Sequence, residues 1–293
     1  MKRVVVTGMA GFSPIGLNWE QVEAALRQRK TGVQYMSDWD RFKEMNTRLG
    51  APVVGFDRPA HYDRKTVRSM GRVAMMATYV TELALTDAGL LNEAAIKDGC
   101  MGVSYGSSTG STDAVADFGG MLLNSSSRSV NANTYLKMMS HTAAVNISVF
   151  FQLKGRVIPT SSACTSGSQG IGYAFEAIKY GHQTMMVAGG AEELCPTEAA
   201  VFDILYATST KNDAPETTPR PFDKDRDGLV IGEGACTLVL EELEHAKSRG
   251  ATIYAEIVGF GTNSDGSHVT QPNKDTMYGA MKLALDCSGL GAE

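Results

Sequence analysis

The stretch Val157-Ile158-Pro159-Thr160-Ser161-Ser162-Ala163-Cys164-Thr165-Ser166-Gly167-Ser168-Gln169-Gly170 reads as a strand, a tight turn and the opening of a helix, with one thiol at the joint. Val157-Ile158 supplies the apolar lead-in, and a cluster of Ser, Thr and Gly makes the turn. Ile171, Ala174, Phe175 and Ile178 then fall on helical spacing, and Gly181 stands where a helix end favours a left-handed residue. A thiol at a helix N-terminus faces unpaired backbone N–H groups and the positive end of the helix dipole. Both favour thiolate, the nucleophilic form. The competing reading is a small buried cysteine filling a gap, the common fate of a free thiol.

Outward from this joint, strand and helix signals alternate. Val4-Val5-Val6 is a short buried strand closed by the loop Gly8-Met9-Ala10-Gly11-Phe12-Ser13-Pro14-Ile15-Gly16, and residues 18–30 follow as a helix with Asn18 as its N-cap. Residues 66–88 form a long helix with Met70, Val73, Met76, Ala77 and Val80 on one side. Residues 100–105 are a strand entering a Gly/Ser/Thr turn, residues 133–153 are largely helical, and residues 184–190 are a further strand. After a Pro-rich loop come a strand at 229–241, a helix at 242–249, a strand at 253–260 and a helix at 275–286. The alternation predicts an α/β sheet covered by helices on both faces. After the last helix, Ser288-Gly289-Leu290-Gly291-Ala292-Glu293 has the form of a turn that should deliver a strand. None follows, so the pattern reads as stopping mid-unit.

Composition narrows the function classes. The 293 residues are 43% hydrophobic and 20% charged, ordinary values for a soluble globular chain with a large core. A net charge of −5 argues against bulk nucleic-acid binding and a polybasic membrane surface. Five cysteines without CxxC or CxxH spacing point to reduced thiols in the cytoplasm rather than to disulfides or a metal site. No uncharged apolar run approaches the ~18 residues of a membrane span.

Three motifs invite other chemistry. Gly106-Ser107-Ser108-Thr109-Gly110 matches the G-x-S-x-G elbow of serine hydrolases, but none of His141, His182, His245 and His268 carries a supporting motif. Asp223-Lys224-Asp225-Arg226-Asp227-Gly228 copies half an EF-hand loop, yet its twelfth position is Gly234 rather than Glu, which favours a turn with internal salt bridges over calcium. Thr7-Gly8-Met9-Ala10-Gly11 lacks the spacing of a dinucleotide fingerprint.

Taken together, several segments resemble a β-ketoacyl-acyl-carrier-protein synthase of the elongating type, within the thiolase-like superfamily. They are Arg3-Val4-Val5-Val6-Thr7-Gly8 with Ser13-Pro14-Ile15-Gly16, the nucleophile segment Ser162-Ala163-Cys164-Thr165-Ser166-Gly167, Val187-Ala188-Gly189-Gly190-Ala191-Glu192, Arg220-Pro221-Phe222-Asp223, and Arg226-Asp227-Gly228-Leu229-Val230-Ile231-Gly232-Glu233-Gly234-Ala235. The likeness runs from residue 3 to the end. The presence of Cys164 separates the chain from the non-catalytic chain-length-factor relatives. The resemblance implies an α/β thiolase-like fold, with residues 1–250 as a complete N-terminal half carrying the nucleophile and residues 251–293 as the beginning of a C-terminal half. It implies a decarboxylating Claisen condensation of an acyl thioester with malonyl-carrier protein, using no cofactor and no metal, in fatty-acid or polyketide elongation.

By the same resemblance Cys164 is the acyl-carrying residue, and its own N–H is one oxyanion donor. Thr109, Phe202 and Thr270 fall at substrate-pocket positions, Thr270 within a loop at 265–271 near the pantetheine channel. Arg64, Lys65 and Arg68, read as opening the long helix, match a basic cluster that meets acidic acyl carrier protein. Tyr206 stands where a relative has a docking Arg, and each of these residues has a plain structural reading as solvated surface or core packing. A cytoplasmic homodimer is the family expectation.

The family also places two histidines, a lysine and a Gly-rich tail beyond the point where this sequence stops, and none of those motifs occurs in residues 1–293. Two expectations follow. Residues 1–293 alone accept an acyl group but fail to decarboxylate malonyl-carrier protein, and the inner face of the sheet lies open as an apolar patch. The alternative function is a non-catalytic fragment that binds carrier protein or a partner subunit.

Overall fold

The computed structural model of the chain describes residues 1–268 and 270–291. In chain order its elements are β1 (Val4–Phe12), α1 (Trp19–Arg27), β2 (Gln34–Tyr35), β3 (Leu49–Ala51), α2 (Arg72–Asp87), β4 (Met101–Gly106), α3 (Thr112–Asn124), α4 (Ala132–Met138), α5 (Thr142–Phe151), β5 (Val157–Thr160), α6 (Ser166–Lys179), β6 (Met185–Glu192), α7 (Pro196–Ile204), β7 (Ile231–Gly232), β8 (Gly234–Glu242), α8 (Leu243–Ser248), β9 (Ala255–Ile257) and α9 (Lys274–Ser288).

Six strands make one mixed sheet in the order β5-β4-β6-β8-β1-β9, and β2-β3-β7 make a small second one. β5, β4 and β6 are parallel, so their C-terminal ends share one edge. β8 runs antiparallel between β6 and β1. Side chains leave a strand alternately to its two faces. On one face Met101, Val103, Tyr105, Met185, Val187 and Val239 share a core with α2 and α5. On the other, Val4, Val6, Met186, Ala188 and Leu240 pack against Ala174, Phe175, Ala177 and Ile178 of α6. The layered α/β architecture expected from the sequence is present.

The apolar patch expected on the inner sheet face is absent, because the apolar stripe of α6 covers that face. Exposed apolar side chains lie on several helices, among them Leu122 and Leu123 of α3, Val201 and Ile204 of α7, and Met277, Tyr278, Met281 and Leu285 of α9, where no residue is buried. α6 stops as predicted. Gly181 takes φ +75°, its N–H bonds to the Ile178 carbonyl, and the His182 N–H reaches the Ala177 carbonyl.

Other boundaries moved. β1 continues through Gly8 to Phe12, where a loop was expected, since Gly8 to Phe12 pair with Val239 to Ala235 of β8 after a register shift. The strand expected at 229–241 breaks at Glu233 into β7 and β8, and the helix at 133–153 breaks at the extended Met139 into α4 and α5. Helices α3 and α7 were not expected; their only buried apolar residues are Ala114 and Ala199.

α2 begins at Arg72, six residues later than predicted. Before it, the N–H groups of Thr66 and Val67 fold back onto the Asp63 carbonyl and Met70 N–H onto that of Val67. Arg64, Lys65 and Arg68 therefore lie exposed on these turns and do not open the helix. Among the described residues no helix is long and apolar enough to cross a membrane. The acidic turn at 223–228 is closed by hydrogen bonds to backbone, from Arg226 to the Asp223 carbonyl and from Arg220 to that of Asp225, rather than by internal salt bridges.

Candidate active site

β5 ends at Thr160, and four residues later Cys164 stands exposed just before α6. The turn is fastened at every step. Ser162 N–H donates to Ser166 Oγ at 2.9 Å, Ser166 Oγ donates to the Ala163 carbonyl at 2.7 Å, and Thr165 Oγ1 donates to the Ser162 carbonyl at 2.9 Å. Thr160 Oγ1 donates to the Ser166 carbonyl at 2.8 Å, tying the strand end to the first helical turn. Ala163 holds φ +52°, a left-handed conformation that costs a non-Gly residue about 1–2 kcal/mol. The residue before the thiol is thus held in a backbone shape it would not choose alone. Ala163→Gly should relieve that strain and raise the thermal midpoint by a few degrees, while slowing acylation of Cys164 because the turn loosens.

α6 reaches the sheet because the facing residues lack side chains. A Cβ on Gly106 would lie 2.6 Å from Ser166, and one on Gly170 would lie 2.7 Å from the Gly189 carbonyl oxygen. These approaches set the N-terminus of α6 against the C-terminal ends of β4 and β6, the usual ligand edge of an α/β sheet.

The loop after β4 lies alongside: Ser161 Oγ donates to the Ser108 carbonyl at 3.4 Å. Glu192, at the end of β6, accepts from Ser107 Oγ at 3.1 Å and Ser108 N–H at 2.5 Å. In the G-x-S-x-G look-alike, then, Ser107 Oγ and Ser108 N–H are held by a carboxylate. Thr109 Oγ1 lies 3.1 Å from Glu198 on α7 and 3.5 Å from Glu192. A hydroxyl has one proton to give, so a hydrogen-bonded chain through Thr109 needs a proton on one of the two carboxyls. Burial, then the Glu192 charge, pushes Glu198 up to about 7, and burial also raises Glu192 against the pull of its hydrogen bonds.

A carboxyl that binds its proton more tightly when folded loses stability as pH rises from the usual Glu range through 7. The unfolding temperature should therefore fall between pH 5 and pH 8, and Glu198→Gln should flatten that decline in a melting series.

The structure thus gathers Cys164, Thr109 and α7, which carries half-buried Phe202, around one edge of the sheet. Thr270 is exposed and its N–H bonds to His268 Nδ1 at 3.1 Å, with Val269 of that loop outside the described residues. Arg64, Lys65 and Arg68 form a separate basic surface, and Tyr206 is almost fully exposed. Glu192 and Glu198 were not singled out from sequence; acidic residues just past an apolar strand were the available signal. Among the described residues no group of three His, Cys, Asp or Glu is placed to hold a metal ion.

α6 is thus seated on β4 and β6, and a cysteine is delivered to the sheet edge at its start. Comparison with known proteins gives the class. Residues 1–246 match the family model of the β-ketoacyl synthase N-terminal domain. The 3-oxoacyl-[acyl-carrier-protein] synthase 2 of Vibrio cholerae is 38% identical over the whole chain, which covers 71% of that protein. The crystal structure of a β-ketoacyl synthase from Burkholderia phymatum STM815 is 60% identical with a TM-score of 0.97, covering 99% of this chain and 71% of that one. A type II PKS ketosynthase in complex with its acyl-carrier protein is 27% identical with a TM-score of 0.80, covering 99% and 71%. The chain belongs to the β-ketoacyl synthase family.

Proposed function

We propose that the chain is the nucleophile-bearing part of a 3-oxoacyl-acyl-carrier-protein synthase, with Cys164 as its acyl-accepting residue. The observation that carries this is the fastened strand–turn–helix joint, which presents an exposed sulfur at the sheet edge beside the loop of Thr109. Cys164 attacks the thioester carbonyl of an acyl-carrier protein; a carbon–sulfur bond forms, and the carrier's thiol leaves with a proton. Among the described residues the Cys164 N–H is not used by the turn's own hydrogen bonds, which leaves it available to the oxyanion. In the synthase of which it is proposed to be part, malonyl-carrier protein then loses CO2, and the carbanion attacks the Cys164 thioester, forming the carbon–carbon bond and releasing the thiolate.

Thr109 and Phe202 are assigned to the acyl pocket, Thr270 to the pantetheine channel, and Arg64, Lys65 and Arg68 to carrier docking. Residues 1–250 are assigned to the nucleophile half and 251–293 to the beginning of the second half. The edge strand β5, with Val157 exposed, supports homodimerisation, and unpaired thiols support a cytoplasmic setting.

The polypeptide of residues 1–293, given radiolabelled acyl-carrier protein, should acquire label on the Cys164 peptide and release no CO2 from malonyl-carrier protein. A peptide map without label at Cys164 would overturn the first assignment, and rapid CO2 release the second. A second reading, favoured by the exposed basic turn, is a carrier-binding protein that does not condense; it retains carrier binding when loading is absent. Charge reversal of Arg64, Lys65 and Arg68 should slow loading from carrier protein roughly tenfold or more at low salt, while loading from a small acyl thioester stays unchanged. Equal loss with both substrates would remove the docking role.

A further inference from the structure

At the C-terminal edge of the sheet the backbone ladders stop and side chains take over. β4 pairs with β5 and β6 as far as Gly106, opposite Thr160 and Gly190. One more backbone bond follows, from the Ser107 N–H to the Thr160 carbonyl at 3.3 Å. An N–H beyond that point needs another acceptor. The Ser108 N–H finds it in the Glu192 carboxylate, and the Ser108 carbonyl accepts from Ser161 Oγ. One residue therefore spans the gap between the end of β6 and the turn that carries Cys164.

Ser107 closes the same loop. Its Oγ donates to Glu192 at 3.1 Å and accepts the Gly110 N–H at 3.2 Å. The two oxygens of Glu192 are thus divided, one for the Ser107 side chain and one for the Ser108 backbone, as an acceptor-only group permits. The far end of the loop is fixed independently. The Ser111 N–H donates to the Lys137 carbonyl at 2.8 Å, and the Thr112 N–H donates to buried Glu193 at 2.9 Å. Gly110 lies against the end of α4, where a Cβ would stand 2.7 Å from the carbonyl oxygens of Met138 and Met139. Exposed Thr109 is carried between these two anchors.

We infer that Glu192 is a positioning residue of acyl loading: it fixes residues 107–109 against the Cys164 turn, and with them the place where Thr109 meets the acyl chain. The inference rests on the reading of Cys164 as the acyl-accepting residue and of Thr109 as part of the acyl pocket. Glu192 acts through Thr109 and not on the thioester. An acetyl group ends beside the sulfur, whereas a decanoyl chain runs on into the pocket wall. Displacing the loop therefore penalises the long chain and spares the short one.

The test follows acylation of Cys164 in the 293-residue polypeptide by acetyl- and decanoyl-carrier protein. Glu192→Ala should slow decanoyl loading roughly tenfold or more, mainly by raising the half-saturating concentration, and leave acetyl loading within about twofold of the parent. Glu192→Gln keeps an acceptor for the Ser108 N–H and should restore most of the decanoyl rate. Ser107→Ala keeps the carboxylate, and provides the measurement if Glu192→Ala does not fold. It should shift the decanoyl-to-acetyl ratio the same way by about threefold, the scale of one hydrogen bond. Adding Ser107→Ala to Glu192→Ala should move the ratio little further, because both remove the same bond. A loss that is equal for both thioesters, or no loss with either, overturns this inference while the parent's label at Cys164 leaves that reading intact. A parent chain that takes no label at Cys164 overturns the reading itself, and the inference falls with it.

Discussion

Cys164→Ser should lower acyl loading from carrier-protein thioester by on the order of 10⁴-fold or more, the scale seen when an enzyme loses its covalent nucleophile. The fold should hardly respond. Cys164 is exposed, and the turn around it is fastened by Ser162, Thr165 and Ser166, whose bonds involve no sulfur atom. Exposed substitutions of this kind stay within about 0.5 kcal/mol of the parent. Loading that persists in the serine variant, with the label on another residue, would contradict the assignment. A variant that fails to load and also melts early would point to a structural cysteine.

Glu233→Ala should cost about 1–3 kcal/mol of stability, the penalty for leaving buried N–H donors without their acceptor, because Glu233 is buried while its partner Arg72 is 40% exposed and stays solvated. The Glu233 carboxylate accepts Arg72 Nε at 2.9 Å and Nη2 at 2.6 Å, the Val53 N–H at 2.7 Å and the Leu194 N–H at 3.2 Å. One side chain thereby joins the break between β7 and β8, the first turn of α2 and the segment after β6. Burial alone would raise the carboxyl, but Arg72 and the two N–H groups outweigh it and hold it below the usual Glu range. Its stabilisation is therefore complete at neutral pH and is lost as pH falls through that lowered value. Denaturant unfolding at pH 7 checks the magnitude; a loss under about 1 kcal/mol would mean the brace is redundant. Glu233→Gln should lie between parent and Ala, because it keeps an acceptor and removes the charge.

The parts legible in the sequence were those that short-range chemistry decides. The joint at Cys164, the apolar stripe of α6 and its stop at Gly181 each announce themselves within a few residues. The second half of β1 did not, because Gly8 to Phe12 become strand only by pairing with β8, far along the chain. The basic trio kept its exposure but lost its helix, since the Asp63 turn competes locally with helical pairing. Glu192 and Glu198 could not be ranked from sequence: Thr109 brings them together only after α7 packs beside the β4 loop. The inner sheet face was misjudged for a related reason, because α6 is both the helix that follows Cys164 and that face's lid.

The glycines beneath α6 divide the site into a floor and a rim with different tolerance for change. At Gly106, Gly170 and Gly190 any added side chain meets backbone of the facing element, so a saturation library at these positions should return misfolded protein whatever the substrate. Exposed Thr109 and the outward positions of α7 face no such limit. Variation, whether drifting or engineered, has room to arise on that rim, and the floor can pass through it unaltered.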